Sequence, residues 1–135
     1  MAEQVKQVKK ERKETIIKFG PPHYAILYFF AKKELSPFVK EVLNKVAREI
    51  KEDGRLIKKI RVEGHTDNVG SASSNKKLSY RRAEGAKMYL VEKHGFSADL
   101  FETIGRGEDS PVASNSTPEG MRENRRVEIY VHLEE

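Results

Sequence analysis

Two residues of opposite charge stand at the ends of neighbouring elements. Asp67 lies in Gly64-His65-Thr66-Asp67-Asn68, directly after an alternating stretch that reads as a strand. Arg82 follows fifteen residues later, in what reads as the first turn of a helix capped by Ser79. A helix start attracts anions through its free N–H groups and its dipole. A guanidinium there adds a planar fork that matches a carboxylate. With Asp67 beside it, one pocket offers an anionic acceptor and a cationic donor. Its complement is a zwitterion, an ammonium and a carboxylate on one carbon, as at an amino-acid end group. Phosphate or nucleic acid would satisfy Arg82 and be repelled by Asp67. The same pair also fits a plainer role, an ion pair that pins a loop.

Other chemistries find less support. His65 and Asp67 are two apart with no third ligand nearby in sequence, so no metal site is expected. His65 reads instead as a loop-stabilising hydrogen-bonding residue, and Thr66 likewise. There is no cysteine and no Gly-x-Ser-x-Gly elbow. His23, His94 and His132 have no evident catalytic neighbours, so no enzyme and no cofactor are expected.

The elements that must position the pair follow from periodicity and breakers. Residues 1–22 are polar and charged and read as a linker or N-terminal helix, with Gly20-Pro21-Pro22 closing it. Residues 24–30 are aromatic and aliphatic, as in a central strand. Ser36-Pro37 starts a helix whose stripe is Phe38, Val39, Val42, Leu43, Val46, Ala47 and Ile50, stopped by Gly54. Over 56–63, Leu56, Ile60 and Val62 point inward and Lys59, Arg61 and Glu63 outward, a strand with one wet face. Residues 64–77 read as a loop, 80–94 as the second helix, 100–104 as a short strand and 105–124 as a long loop. Val127, Ile129, Val131 and Leu133 alternate in the last strand, which puts Arg125 on the covered side and Arg126 in solvent. The expected class is α+β, a two-layer sandwich with two main helices on one face of a four-stranded mixed sheet, in the order β-α-β-α-β-β. The domain runs over 23–135.

At 135 residues the chain has the size of one domain. It carries 26 basic and 21 acidic residues, a net charge of +5. That balance fits a polyanionic partner, but a lysine-rich solvated surface is the favoured reading, since net charge alone decides little. Steep weakening with salt would mark nucleic-acid binding, while a one-residue pocket responds far less. No apolar run approaches the ~20 residues of a membrane span, and no stretch reads as a signal peptide. The chain is then either cytosolic or the mature part or a fragment of a longer exported protein.

A wider pattern joins these pieces. Val62-Glu63-Gly64-His65-Thr66-Asp67-Asn68-Val69-Gly70 continues through Asn75, Leu78-Ser79 and Arg82-Ala83. It resumes with Gly105-Arg106-Gly107-Glu108, Pro111-Val112-Ala113, Asn115, Thr117, Gly120 and Asn124-Arg125-Arg126-Val127-Glu128-Ile129. In order and spacing this resembles the OmpA C-terminal-like family, which includes peptidoglycan-associated lipoprotein and the periplasmic domain of the flagellar stator protein MotB. The resemblance covers about residues 24–133. It implies noncovalent binding of peptidoglycan, with Asp67 and Arg82 holding the diaminopimelate of the stem peptide and Arg125 lining the site. Asn75 and Leu78 match positions that shape the loop and the pocket wall. The resemblance also implies a periplasmic setting, no nucleic-acid partner, any membrane segment outside these residues, and room for a homodimer or a stator role. Two departures stand out. Phe29-Phe30-Ala31-Lys32-Lys33 replaces a polar loop, and Gly120-Met121 replaces a Gly-Arg pair.

Overall fold

A computed structural model describes residues 16–18, 23–28 and 35–134. The chain is α+β with a mixed sheet. Its elements are β1 (Ile16–Lys18), β2 (His23–Tyr28), α1 (Pro37–Asp53), β3 (Ile57–His65), α2 (Ala72–His94), a 3₁₀ turn (Ala98–Leu100), β4 (Phe101–Gly105), α3 (Pro118–Asn124) and β5 (Arg126–Leu133). The sheet order is β1-β2-β5-β3-β4. All neighbours are antiparallel except β3 and β4. Among the described residues the sheet has five strands, where four are expected, and a third helix precedes the last strand. Ile16–Lys18 pairs with β2, inside the stretch read as linker or helix. The rest of 1–22, and Phe29 to Lys33, lie outside the described residues.

α1 forms for the reasons its sequence states. The Ser36 hydroxyl accepts from the Val39 N–H at 3.2 Å, Pro37 opens the first turn, and Gly54 ends the helix at φ 78°. Its stripe of Val39, Val42, Leu43, Val46, Ala47 and Ile50 is buried. That stripe joins Ala83, Ala86 and Leu90 of α2 and Ile60, Val62, Val127, Ile129 and Val131 of the sheet in one core. Each such large aliphatic contributes roughly 1.5–3 kcal/mol by leaving water.

α2 departs from expectation and changes the site. It begins at Ala72, with the Ser71 hydroxyl accepting from the Ser74 N–H at 3.1 Å. Its first two turns bury Asn75 and Ser79, which are polar, so hydrophobic spacing is silent there. Ser79 lies within the helix, against β3. A Cβ at Gly64 would stand 1.9 Å from the Ser79 carbonyl oxygen. Strand and helix touch backbone to backbone, which only glycine permits.

Three other expectations change. Leu56 is 76% exposed, and a register irregularity between Ile57 and Lys59 breaks the simple alternation. The second face of the sheet is not wet along its length, because Glu63 and His65 are buried. Arg126 is buried on that face rather than in solvent. It donates to Glu128, to the Asn124 carbonyl at 3.3 Å and to the Ser110 carbonyl at 3.0 Å. The loop before β5 folds back over it, and its hydrogen bonds offset the cost of burying the charge.

Candidate functional site

β3 delivers the chain to Thr66 and Asp67. The Thr66 N–H donates to the Gly107 carbonyl at 2.9 Å, and its hydroxyl donates to the Asp67 carbonyl at 2.7 Å. Asp67 then turns the chain. Its Oδ1 accepts from the Val69 N–H at 3.1 Å, the local closure that aspartate offers a loop. Its Oδ2 faces the opposite way and accepts from Arg125 Nη1 at 2.8 Å. One oxygen shapes the loop while the other serves the site.

Asn75 holds this loop from α2. Its amide nitrogen donates to the Asp67 carbonyl at 3.3 Å, the Val69 carbonyl at 3.1 Å and Glu108 Oε1 at 2.9 Å. Asn75 is thus a staple between the loop, the helix and the segment after β4. Leu78 is half-buried one turn before Arg82, on the same side of the helix.

Arg82 is buried, 3% exposed, in the middle of α2. The helix start lies ten residues earlier, at Ala72, so the free N–H groups expected beside Arg82 are not there. Its cationic character comes from the guanidinium alone. Burial lowers the pKa of Arg82, the neighbouring Arg125 charge lowers it further, and Asp67 raises it. Arg82, Arg125 and Asp67 therefore share one electrostatic neighbourhood: two guanidiniums around one carboxylate. The cluster carries an excess positive charge in a poorly hydrated place, where charges interact strongly. It suits a ligand that brings a carboxylate.

Arg125 is placed by a device that the sequence reading left without a role. Thr117 caps α3 by accepting from the Gly120 N–H at 3.0 Å, and Pro118 opens it. This is the same Ser/Thr-Pro signal that marks α1, and it could have revealed the helix. A Cβ at Gly120 would meet the Ser114 carbonyl oxygen at 1.8 Å, so helix and loop pack without a side chain between them. Asn124 ends α3 fully buried. Its Oδ1 accepts from the N–H groups of Val112 at 2.8 Å and Ala113 at 3.1 Å. Its amide nitrogen donates to the Ala113 carbonyl at 2.9 Å and Asn115 Oδ1 at 2.8 Å. The next residue is Arg125, which caps the helix: its N–H donates to the Met121 and Arg122 carbonyls, each at 3.2 Å.

The match to known proteins is consistent with this arrangement. A model of the OmpA family matches residues 27–125. The chain belongs to the OmpA family. Among relatives of this OmpA-family domain, the peptidoglycan-binding protein ArfA of Mycobacterium tuberculosis is 44% identical over 100 residues, 73% of this chain and 29% of ArfA. The outer-membrane lipoprotein YfiB of Pseudomonas aeruginosa is 44% identical over 100 residues, 74% of this chain and 58% of that protein. The chain spans less than two thirds of either relative. Among solved structures, the cell wall anchor of the T6SS from Pseudomonas aeruginosa superposes with a TM-score of 0.75 at 26% identity, covering 98% of this chain and 96% of that one.

Proposed function

We propose that this OmpA-family domain binds peptidoglycan noncovalently in the periplasm, through the diaminopimelate of the stem peptide, and so tethers a cell-envelope protein to the wall. The observation that carries the reading is the meeting of Asp67, Arg82 and Arg125, which are far apart in sequence, in one neighbourhood. The free end of diaminopimelate bears an ammonium and a carboxylate on one carbon. The ammonium takes the Asp67 Oδ2 position that Arg125 holds in the free protein. The Arg82 fork receives the carboxylate, and Arg125, released from Asp67, becomes a second donor to it. The exchange leaves no charge unpaired, which matters because an unpaired buried charge is costly. Thr66 and Asn75 hold the loop that presents Asp67, and Leu78 forms part of the wall. No bond in the ligand is broken.

The names of ArfA and of the secretion-system wall anchor support the same partner. The test is co-sedimentation with purified sacculi, with and without free diaminopimelate. The domain is expected to pellet with the wall and to be displaced by the amino acid. Wall binding that persists in saturating diaminopimelate would place the contact elsewhere.

A further inference from the structure

A second cluster lies on the face of the sheet away from the core. β3 and β5 are antiparallel there, with Glu63 opposite Glu128 and His65 opposite Arg126. His65 is 2% exposed, and neither ring nitrogen makes a hydrogen bond. Its Nε2 stands 3.8 Å from Glu63 Oε1 and 3.8 Å from Glu128 Oε1. Those separations are too long for hydrogen bonds, and a buried polar group without a partner calls for an explanation. One ligand atom from each of the three residues lies within 4.8 Å of the others.

The two carboxylates are already oriented. Glu63 Oε2 accepts from Arg61 Nε at 2.7 Å, and Glu128 Oε2 accepts from Arg126 Nε. The remaining oxygens turn towards His65, where Glu63 Oε1 also receives Arg106 Nε at 3.3 Å and Glu128 Oε1 receives the Tyr130 hydroxyl at 2.6 Å. Each of these inner oxygens already takes one donor, so an ion would share Glu63 Oε1 with Arg106 and Glu128 Oε1 with Tyr130; carboxylates that are themselves hydrogen-bonded while they ligate are the usual support of a metal site. A point equidistant from three such atoms lies roughly 2.2–2.8 Å from each, so closing to zinc distances of about 2.0–2.2 Å needs shifts of only a few tenths of an ångström.

We propose that Glu63, His65 and Glu128 form a binding site for a zinc-class divalent cation. One imidazole and two carboxylates suit zinc, nickel or cobalt, whereas calcium and magnesium ask for more oxygen ligands. The ligands' two negative charges match a dication. Arg61, Arg106 and Arg126 oppose it, the first two from partly exposed positions where solvent screens them. That opposition sets the affinity at the micromolar level rather than that of a closed structural site. An ion here joins β3 to β5 two residues before Asp67, using no member of the Asp67–Arg82–Arg125 cluster. Failure of this site would leave the wall-binding reading intact.

The test is calorimetric titration of the chelator-treated, full 135-residue protein with zinc alone, together with ¹⁵N spectra of its histidine side chains. One site per chain is expected, with a dissociation constant of about 1–50 µM, a range above that of preformed structural sites. The His65 Nε2 resonance should move on zinc addition, and Glu128→Gln should weaken binding at least tenfold. No uptake below about 1 mM would overturn the proposal. So would uptake that moves only the His23, His94 or His132 resonances and leaves His65 still. The spectra of the unmutated protein decide the matter even if Glu128→Gln fails to fold.

Discussion

Arg125 donates to Asp67 across 58 positions of sequence, at 2.8 Å, and Arg82 lies in the field of both. The pairing expected from sequence was between Asp67 and the arginine fork of α2. The structure instead gives Asp67 a second cation that holds its outer oxygen. Asp67 is thereby held in place, with its outer oxygen engaged, before any ligand arrives.

Charge and shape separate at Asp67. Asp67→Asn keeps an oxygen for the Val69 N–H but loses the negative charge, so the loop should survive and wall binding should not. Removing one partner of a buried charged contact typically costs about 2–5 kcal/mol, a weakening of roughly 30-fold or more. Sacculus co-sedimentation alongside a thermal melt checks both halves.

Arg82→Lys retains the cation but not the fork. A bidentate carboxylate contact is replaced by a point charge, and diaminopimelate affinity should fall about tenfold or more, on the order of 1.4 kcal/mol. Calorimetry with the free amino acid measures this. Equal affinity would show that Arg82 does not hold the carboxylate.

Gly64→Ala tests the contact between β3 and α2. The added methyl has backbone, not a flexible side chain, at 1.9 Å. Strand and helix must separate, at a cost of about 1–3 kcal/mol or more, read as a lowered unfolding midpoint.

Asn124→Ala should lower stability and wall binding together. It removes four hydrogen bonds from a fully buried position and leaves the Val112 and Ala113 groups without that partner. A loss of at least about 2 kcal/mol is expected. Those bonds tie the end of α3 to the 112–115 loop, so Arg125, which follows directly, should shift with the loosened helix end and sacculus binding should drop even where the variant remains folded.

The metal-free protein should lose stability in mild acid. Burial first, then the Arg126 charge, push the His65 pKa down to about 4. Its unfolded value is near 6.5. Between those values the unfolded chain binds the proton and the folded one does not, so stability is full above about pH 6.5 and falls towards pH 4. The shift corresponds to roughly 3–3.5 kcal/mol. Urea denaturation across that range in the presence of chelator should show the decline, and His65→Gln should flatten it.

What the sequence shows and what it hides divide along polarity. α1 is legible because Ser36, Pro37, Gly54 and an apolar stripe all agree. The first turns of α2 are hidden because their inward residues are Asn75 and Ser79, chosen for close approach and hydrogen bonding rather than for transfer from water. Glu63, Arg126 and Glu128 read as a solvated face, and His65 as a loop residue, because each is judged singly. Together they bury one another, which only the register between β3 and β5 reveals. Asp67, Arg82 and Arg125 each stand out in the sequence by type and position, but the way they meet does not, since the helix start expected beside Arg82 lies at Ala72.

The most direct test is an NMR titration of the labelled domain with two muropeptides that differ only at the third stem residue, one carrying diaminopimelate and the other lysine, which lacks the distal carboxylate. The account predicts that the first shifts the Asp67 and Asn75 amides and the Arg82 and Arg125 side-chain signals, while the second binds at least tenfold more weakly. Equal binding of the two, or shifts confined to other surfaces, would contradict it.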